Sequence, residues 1–364
     1  MCSMAWCNLK ITLPAAELIE EECTPRYTPN HYYPVRLYEI LNDRYQITAK
    51  LGWGTSSTVW LARDLNPWRW CSARYLAVKI KANNYATKED AERDVRITEK
   101  ITHANPQHVG RNFVSTLLDS FDVPGPHGLH VCLLFDPLCE PLWMLKQRFH
   151  GDVLPLDVFK PVAKLILEGL GYLHSQCHIV HTDLKSDNIL MALQDHSILD
   201  KVSQDENKEP LPQKQLEDRT ICVSRNHFGV EANGLGRPMI TDFGLAIDGS
   251  RAHYHPIQPD SFRAPEGLIL GQEAHLARIK SVLGTPPVDM LREAKYSSRY
   301  FDAERRFKHP ELISESGGFE KILSGVEGDD KQAFLDLVSR MLRWRADERD
   351  TVQGLLSDPW FQGL

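Results

Sequence analysis

The sequence predicts an α+β protein with two lobes, a β-rich N-terminal lobe and a helical C-terminal lobe. Its 364 residues exceed the roughly 150 residues of one typical domain. Apolar and polar side chains alternate over 45–51 and 57–62, which is typical of half-buried strands. Apolar residues over 158–173 instead recur at helical spacing. A β-rich front and a helical rear favour two lobes with a cleft between them.

The organisation along the chain follows from the same patterns. Residues 1–35 carry prolines and an acidic cluster, and they predict an extended N-terminal arm. The N-lobe is predicted at 36–138 and the C-lobe at 139–364, where a polar stretch at 194–237 predicts a mobile insert. Further predicted elements are strands at 75–80 and 130–135 and helices at 87–102, 272–283 and 329–345.

Composition and charge exclude several classes of protein. With 42% hydrophobic and 25% charged residues the chain is too apolar to be disordered. The 42 Lys and Arg against 49 Asp and Glu give a net charge of −7, which argues against general binding to nucleic acid. No apolar run approaches the ~18 residues that span a bilayer, and the N-terminus lacks the pattern of a secretory signal. The eight scattered cysteines predict reduced, mostly buried thiols in an intracellular protein.

A glycine-rich segment lies between the first two predicted strands. In Leu51-Gly52-Trp53-Gly54-Thr55 the glycines would let the backbone approach a phosphate closely. The segment lacks the Gly-Lys-Ser ending of the nucleotide-triphosphatase loop, and it does not lead into a helix as the dinucleotide fingerprint requires. Alone, it also fits an ordinary hairpin turn.

A lysine follows within an apolar strand, in Ala77-Val78-Lys79. Burying an ammonium group is costly unless it meets an anion, and a nucleotide phosphate could supply that charge. The alternative is a lysine on an edge strand that points to solvent.

Four polar residues in two later segments suit phosphoryl transfer. Asp183, Lys185 and Asn188 share one short segment, and Asp242 lies in Thr-Asp-Phe-Gly. An aspartate can accept the proton of a hydroxyl, and a lysine can neutralise the transferred phosphoryl group. Oxygen atoms of an asparagine and an aspartate suit Mg²⁺, which is a hard cation.

The order of these motifs identifies a resemblance. Glycine loop, strand lysine, Asp183 segment, Asp-Phe-Gly and the Ala-Pro-Glu at 264–266 reproduce the protein kinase series. The chain resembles eukaryotic protein kinases over about 36–361, and it is most similar to SR-protein kinases, especially their fungal relatives. The matching segments are Tyr33-Pro-Val-Arg36, Arg44-Tyr-Gln-Ile, Lys50-Leu-Gly-Trp-Gly54, Ser57-Thr-Val-Trp-Leu-Ala62 and His181-Thr-Asp183.

The resemblance implies a nucleotide site. Lys79 would bind the α- and β-phosphates and pair with Asp94, although Glu92 or Glu99 could be its partner instead. The hinge would be Asp136-Pro-Leu138. The residues implied to contact or position the nucleotide are Leu51, Gly52, Trp53, Gly54, Thr55, Val59, Ala77, Lys79, Asp94, Asp136, Leu138 and Leu190.

The resemblance also implies the catalytic roles and the function. Asp183 would be the catalytic base and Lys185 the neighbour of the transferred phosphoryl group, and Asn188 and Asp242 would be the Mg²⁺ ligands. The implied activity is an ATP- and Mg²⁺-dependent serine/threonine kinase that acts on Arg/Ser-rich, splicing-factor-type proteins. We expect a monomer in the cytoplasm or nucleus, with no direct nucleic-acid or membrane partner.

Two departures from the family pattern qualify these roles. Thr182 stands where many kinases have an arginine that binds a phosphate on the activation loop, so no activating phosphorylation is expected. Residues 245–261 contain Ser250, Tyr254 and Ser261 as acceptors.

After Glu266 the long central helix of the C-lobe is not recognisable, because only 17 residues, 267 to 283, precede Gly284-Thr-Pro-Pro287. The C-lobe is therefore expected to be incomplete. The alternative is a truncated isoform or a pseudokinase that binds nucleotide or proteins without turnover. A zinc site is a further alternative, built on His174, Cys177, His178 and His181.

Overall fold

An antiparallel sheet dominates the N-terminal part of the chain. We describe it from a computed structural model, which covers residues 11–25, 27–66, 73–83, 88–231, 234–251, 258–259, 264, 273–294, 297–313 and 328–364, with backbone alone at 88–91. Six strands in this described part are ordered β1-β2-β3-β4-β6-β5. They are β1 (Ile40–Leu41), β2 (Tyr45–Gly54), β3 (Ser57–Asp64), β4 (Arg74–Lys81), β5 (Asp119–Gly125) and β6 (Gly128–Phe135).

The two faces of this sheet differ in character. One face carries the apolar core, in which Trp60, Val78, Ile80 and Leu134 are at most 3% exposed. Because side chains alternate along a strand, the residues that flank these four in their strands lie on the opposite face. Helix α1 (Lys88–His103) connects β4 to the strands at the far edge of the sheet.

The chain divides into two compact units. The first comprises residues 1–106, 112–152 and 186–241, and the second comprises 107–111, 153–185 and 242–364. The first unit thus contains residues 139–152 and the insert, which the sequence analysis had placed in the C-lobe.

The predicted mobile insert is in fact folded, which corrects that expectation. It contains helix α4 (Ile198–Lys208) and, after strand β8 (Ile189–Leu193), a hairpin of β9 (Gln213–Gln215) and β10 (Thr220–Cys222). Strand β11 (Leu235–Ile240) then pairs antiparallel with β8. Apolar residues of α4, Leu199 and Val202, are buried, and the Tyr75 hydroxyl donates to Asp200 at 3.0 Å.

The N-terminal arm packs against the sheet and the insert through buried charges. Its short 3₁₀ helix Glu20–Cys23 presents three consecutive glutamates. Lys50 of β2, which is 1% exposed, forms ion pairs with Glu21 and, at 3.4 Å, with Glu20. Lys214 of β9, 2% exposed, pairs with Glu22 at 2.8 Å.

Helices build the second unit, which confirms the predicted helical C-lobe. A core of Leu167, Leu337, Leu355, Trp360 and Phe361 joins its N- and C-terminal parts. Its described helices are α3 (Leu156–Ser175), α5 (Glu273–Leu283), α6 (Val288–Glu293), α7 (Ser297–Tyr300), α8 (Gly328–Met341) and α9 (Val352–Leu356). The short helix α2 (Leu142–Lys146) belongs to the first unit. Two short strands, β7 (Ile179–Val180) and β12 (Ile247–Asp248), pair beside them.

The described cysteines are free thiols, and most of them are buried. Cys132, Cys139, Cys177 and Cys222 are free and buried, and Cys23 is free and exposed. Burial raises the pKa of the Cys132 thiol to about 12, so this thiol is unreactive. Among the described residues, every helix is too short or too polar to cross a bilayer.

Candidate functional site

The strand register assembles one wall of the predicted nucleotide site. Val59 lies opposite both Gly52 and Lys79, and Ala77 lies opposite Phe135. Directly paired residues share a face of the sheet. Gly52, Val59, Lys79, Ala77 and Phe135 therefore lie on the face opposite the apolar core. Sequence alternation had predicted the strands, and the register now places Val59, Ala77 and Lys79 together.

The glycine-rich segment forms the end of the β2–β3 hairpin. Gly54 pairs with Ser57 across a two-residue turn of Thr55 and Ser56. A Cβ atom built on Gly52 or Gly54 would meet no heavy atom within 4 Å. The space beside both α-carbons is therefore open and can admit a phosphate group.

A lysine that the sequence analysis did not select lies beside Lys79. Lys81 is two residues further along β4, so both side chains lie on the same face of the sheet. Lys81 is 4% exposed and forms an ion pair with Asp94 of α1, which is 6% exposed. The other proposed partners on this helix, Glu92 and Glu99, are exposed. The structure thus gives Asp94 a buried lysine partner, and its pairing with Lys79 stays a prediction.

The predicted hinge is linked to the strand that carries Leu190. Asp136 is exposed and Leu138 is half-buried immediately after β6. The amide of Cys139 donates to the Met191 carbonyl at 2.8 Å, and the Met191 amide donates to Glu140 at 3.0 Å. These two bonds join the segment after the hinge to β8 within the first unit. That Leu190 contacts the base stays a prediction.

The predicted catalytic loop follows β7 in the second unit. Asp183 is 7% exposed, and the Lys185 ammonium lies 3.1 Å from its carboxylate. The His181 ring packs against Phe243, with centroids 5.3 Å apart. An acid, a cation and the Asp-Phe-Gly segment therefore share one region of this unit.

Asp242 and Thr182 fix the geometry of that region. Asp242 has a left-handed backbone with φ of 59°, and its carboxylate accepts from the Gly244 amide at 3.4 Å. Thr182 is also left-handed, with φ of 65°, a conformation that is strained for a β-branched residue. Its hydroxyl donates to the Leu245 carbonyl at 2.8 Å. Thr182 thus ties the catalytic loop directly to the segment after Asp-Phe-Gly.

Asn188 lies in the first unit next to the strand that leads to Asp242. It is 7% exposed, and its carbonyl accepts from the Thr241 amide at 2.9 Å and the Thr241 hydroxyl at 3.2 Å. The pairing of β8 with β11 thereby sets Asn188 beside the residue that precedes Asp242. The folded insert lies between Asn188 and Asp242 in the sequence and accounts for most of their separation.

The zinc alternative and the gap have different outcomes. In the described part of the chain no three His, Cys, Asp or Glu side chains form a group that could hold a metal ion, so a zinc site finds no support. Of the segment 267–283 that follows Glu266, residues 267–272 lie outside the described residues and 273–283 form α5, and the incomplete C-lobe stays a prediction.

Comparison with known families decides the assignment. The protein kinase domain family matches residues 45–361 of this chain. The chain belongs to the protein kinase family. Its members are ATP-dependent kinases that use Mg²⁺ as a rule, and this chain is accordingly an ATP-dependent protein kinase, as the order of its motifs predicted.

Individual relatives agree with the resemblance to SR-protein kinases. A serine/threonine protein kinase of Aspergillus fumigatus is 32% identical over 96% of this chain and 92% of its own length. The serine/threonine-protein kinase SRPK of Physarum polycephalum is 28% identical over 94% of this chain and 91% of its own. The mouse SRSF protein kinase 3 is 34% identical over 48% of this chain and 30% of its own length.

A solved structure supports the fold. The crystal structure of the PF14_0431 kinase domain aligns with a TM-score of 0.67 and 22% identity, covering 91% of this chain and 99% of that one. The two-lobed kinase fold expected from the sequence is thereby confirmed, and the comparisons do not favour the pseudokinase alternative.

The buried pair of Lys81 and Asp94 yields a stability prediction. Asp94→Asn removes a carboxylate from the buried Lys81 ammonium, and we expect a loss of about 3 kcal/mol in the free energy of unfolding. Urea unfolding followed by tryptophan fluorescence measures the loss as a lower midpoint. Glu99→Gln, on the exposed side of the same helix, is the control and should leave the midpoint unchanged. Equal midpoints for the two variants would show that the pair contributes little.

The contact between Thr182 and Leu245 predicts activity without phosphorylation of the activation loop. The hydroxyl already holds this segment, and Thr182 offers no positive charge to a phosphate. We therefore expect phosphatase-treated protein to retain kinase activity within about twofold of the untreated protein. Mass spectrometry should verify the removal of phosphate from Ser250, Tyr254 and Ser261. A large loss that rephosphorylation restores would contradict this prediction.

Proposed function

We propose that this chain transfers the γ-phosphate of ATP to serines of Arg/Ser-rich proteins. The observation that carries the proposal is the contact between Lys185 and Asp183 at 3.1 Å in the second unit. The two residues lie in the same region as the Asp-Phe-Gly segment, because β7 pairs with β12 and the Thr182 hydroxyl donates to the Leu245 carbonyl. The loop also lies within residues 45–361, the part of the chain that matches the protein kinase domain family.

The residues of the first unit fit ATP. The open space beside Gly52 and Gly54 suits phosphates, because backbone N–H groups there can approach an anion closely. Lys79 shares this face of the sheet and would supply a positive charge. Val59 and Ala77 would pack on one side of the base, and the hinge backbone at Asp136 and Leu138 would bond its edge.

The donor set also fits Mg²⁺. Asn188 offers a carboxamide oxygen and Asp242 a carboxylate oxygen, and both are hard ligands of the kind this ion prefers. When bound, the ion would neutralise charge on the phosphates.

The side chains of the catalytic loop would carry out the remaining steps. Asp183 would orient the substrate hydroxyl and accept its proton, while Lys185 would stabilise negative charge on the transferred group. Most of the rate enhancement would come from positioning and charge neutralisation.

The relatives motivate the proposed substrate class. SRPK of Physarum polycephalum and SRSF protein kinase 3 of mouse carry names that point to SR proteins. The net charge of −7 is compatible with a basic substrate. A monomeric state, the absence of nucleic-acid and membrane partners, and location in the cytoplasm or nucleus stay predictions.

A kinase assay tests the proposal. Purified protein with ATP and Mg²⁺ should phosphorylate an Arg-Ser repeat peptide faster than a matched Lys-Ser peptide, because guanidinium groups bind carboxylates in a bidentate manner. Asp183→Asn should lower the rate at least about 100-fold, since it removes the base. Lys79→Ala should lower it as well.

Asp195→Asn serves as the control, because Asp195 is an exposed carboxylate that lies outside the catalytic loop. It should retain wild-type activity. Equal rates for wild type and Asp183→Asn would rule out this mechanism, and equal rates on both peptides would rule out the proposed substrate class.

A further inference from the structure

The N-terminal arm contacts the nucleotide loop through a buried phenol. Tyr32 is 6% exposed, and its hydroxyl lies 2.9 Å from the Thr55 carbonyl and 3.2 Å from the Gly54 carbonyl. Both carbonyls belong to the turn of the β2–β3 hairpin, which is the part of the loop proposed to bind phosphate. The kinase motifs assign no role to Tyr32.

These hydrogen bonds determine where the neighbouring amides point. In a planar trans peptide the C=O and N–H groups point in opposite directions. When Tyr32 holds the carbonyls of Gly54 and Thr55 towards the arm, the N–H groups of Thr55 and Ser56 face away from the arm. Amides held in this way can donate to phosphate oxygens without first reorienting.

The backbone that carries the phenol is itself held in place by the insert. The Tyr32 amide donates to the Pro29 carbonyl at 3.0 Å. The buried Arg219 guanidinium, between β9 and β10, donates to the carbonyls of Pro29 and Tyr32 at 2.5 and 3.4 Å. The segment after β4 is attached to the arm as well, because the Asn83 backbone amide donates to the His31 carbonyl at 2.8 Å.

The hydroxyl is a donor at all physiological pH values. Burial raises the pKa of the Tyr32 phenol above its ordinary value, which keeps the proton on the oxygen. Both contacts with the turn are to carbonyl oxygens, which can only accept, so they share the one hydroxyl proton.

We propose that Tyr32 is a positioning residue for the phosphates of ATP, and that Arg219 of the insert acts through it. The insert and the arm would thereby set the affinity of the nucleotide loop for phosphate. This inference rests on the proposed ATP-binding function.

Binding measurements with two ligands test it. Isothermal titration calorimetry with Mg²⁺ and either ATP or adenosine should show a roughly fivefold higher Kd for ATP in Tyr32→Phe, as expected for one lost hydrogen bond. The Kd for adenosine should not change, because adenosine lacks the phosphates. Tyr33→Phe is the matched control, since the Tyr33 hydroxyl lies near Glu39 and not near the turn.

Steady-state kinetics provides a second readout. In Tyr32→Phe the KM for ATP should rise by a similar factor, while kcat and the KM for the peptide stay within about twofold of wild type. Arg219→Gln should also weaken ATP binding. Combined with Tyr32→Phe it should add little, because both changes remove the same interaction.

Three outcomes would overturn the inference. They are an unchanged Kd for ATP in Tyr32→Phe, an equal loss for ATP and adenosine, and full additivity with Arg219→Gln. If the wild-type protein bound adenosine and ATP equally or neither ligand, the proposed function itself would fail, which is a distinguishable result.

Discussion

Buried lysines are the constraint on which the first unit depends. Lys50, Lys81 and Lys214 are 1%, 4% and 2% exposed, far less than lysines usually are. An ammonium group out of water is very costly unless a carboxylate accompanies it. Each of the three has such a partner, supplied by the arm for Lys50 and Lys214 and by helix α1 for Lys81.

This pairing explains why an arm and an insert distant in sequence fold together. Glu21 pairs with a lysine of the sheet, and Glu22 pairs with a lysine of the insert hairpin. Removing the arm would leave two buried ammonium groups without these carboxylates, so arm, sheet and insert stabilise one another. The sheet carries the nucleotide loop between β2 and β3, and the arm reaches that loop through Tyr32. The buried ion pairs of the arm are thus connected, through Tyr32, to the geometry of the proposed phosphate site.

Much of the fold, and the segments proposed to form the site, could be predicted because the signals are local. Period-2 alternation predicted strands β2 and β3, and apolar, β-rich runs predicted β4 and β6. Helical spacing predicted the helix Leu156–Ser175. The order of short motifs gave the family. Each of these signals depends on residues close together in the chain.

Features that depend on distant contacts were not predictable. Residues 198–208 have a polar composition, although Leu199 and Val202 at helical spacing could have indicated the buried side of α4. Lys50 and Lys214 look like surface charges in the sequence, since their partners lie 29 and 192 residues away. Lys81 could have been found from its two-residue spacing to Lys79, but its pairing with Asp94 required the structure.

Native-state hydrogen exchange, with wild-type protein and Glu21→Gln compared, tests the central claim most directly. If buried ion pairs unite the arm, the sheet and the insert, amides at 27–35, 45–54 and 213–222 should exchange with one common opening free energy. Glu21→Gln should lower that free energy at all three segments together. Amides of the arm and hairpin that exchange much faster than those of the sheet in the wild-type protein, or that do not respond to Glu21→Gln, would contradict the account.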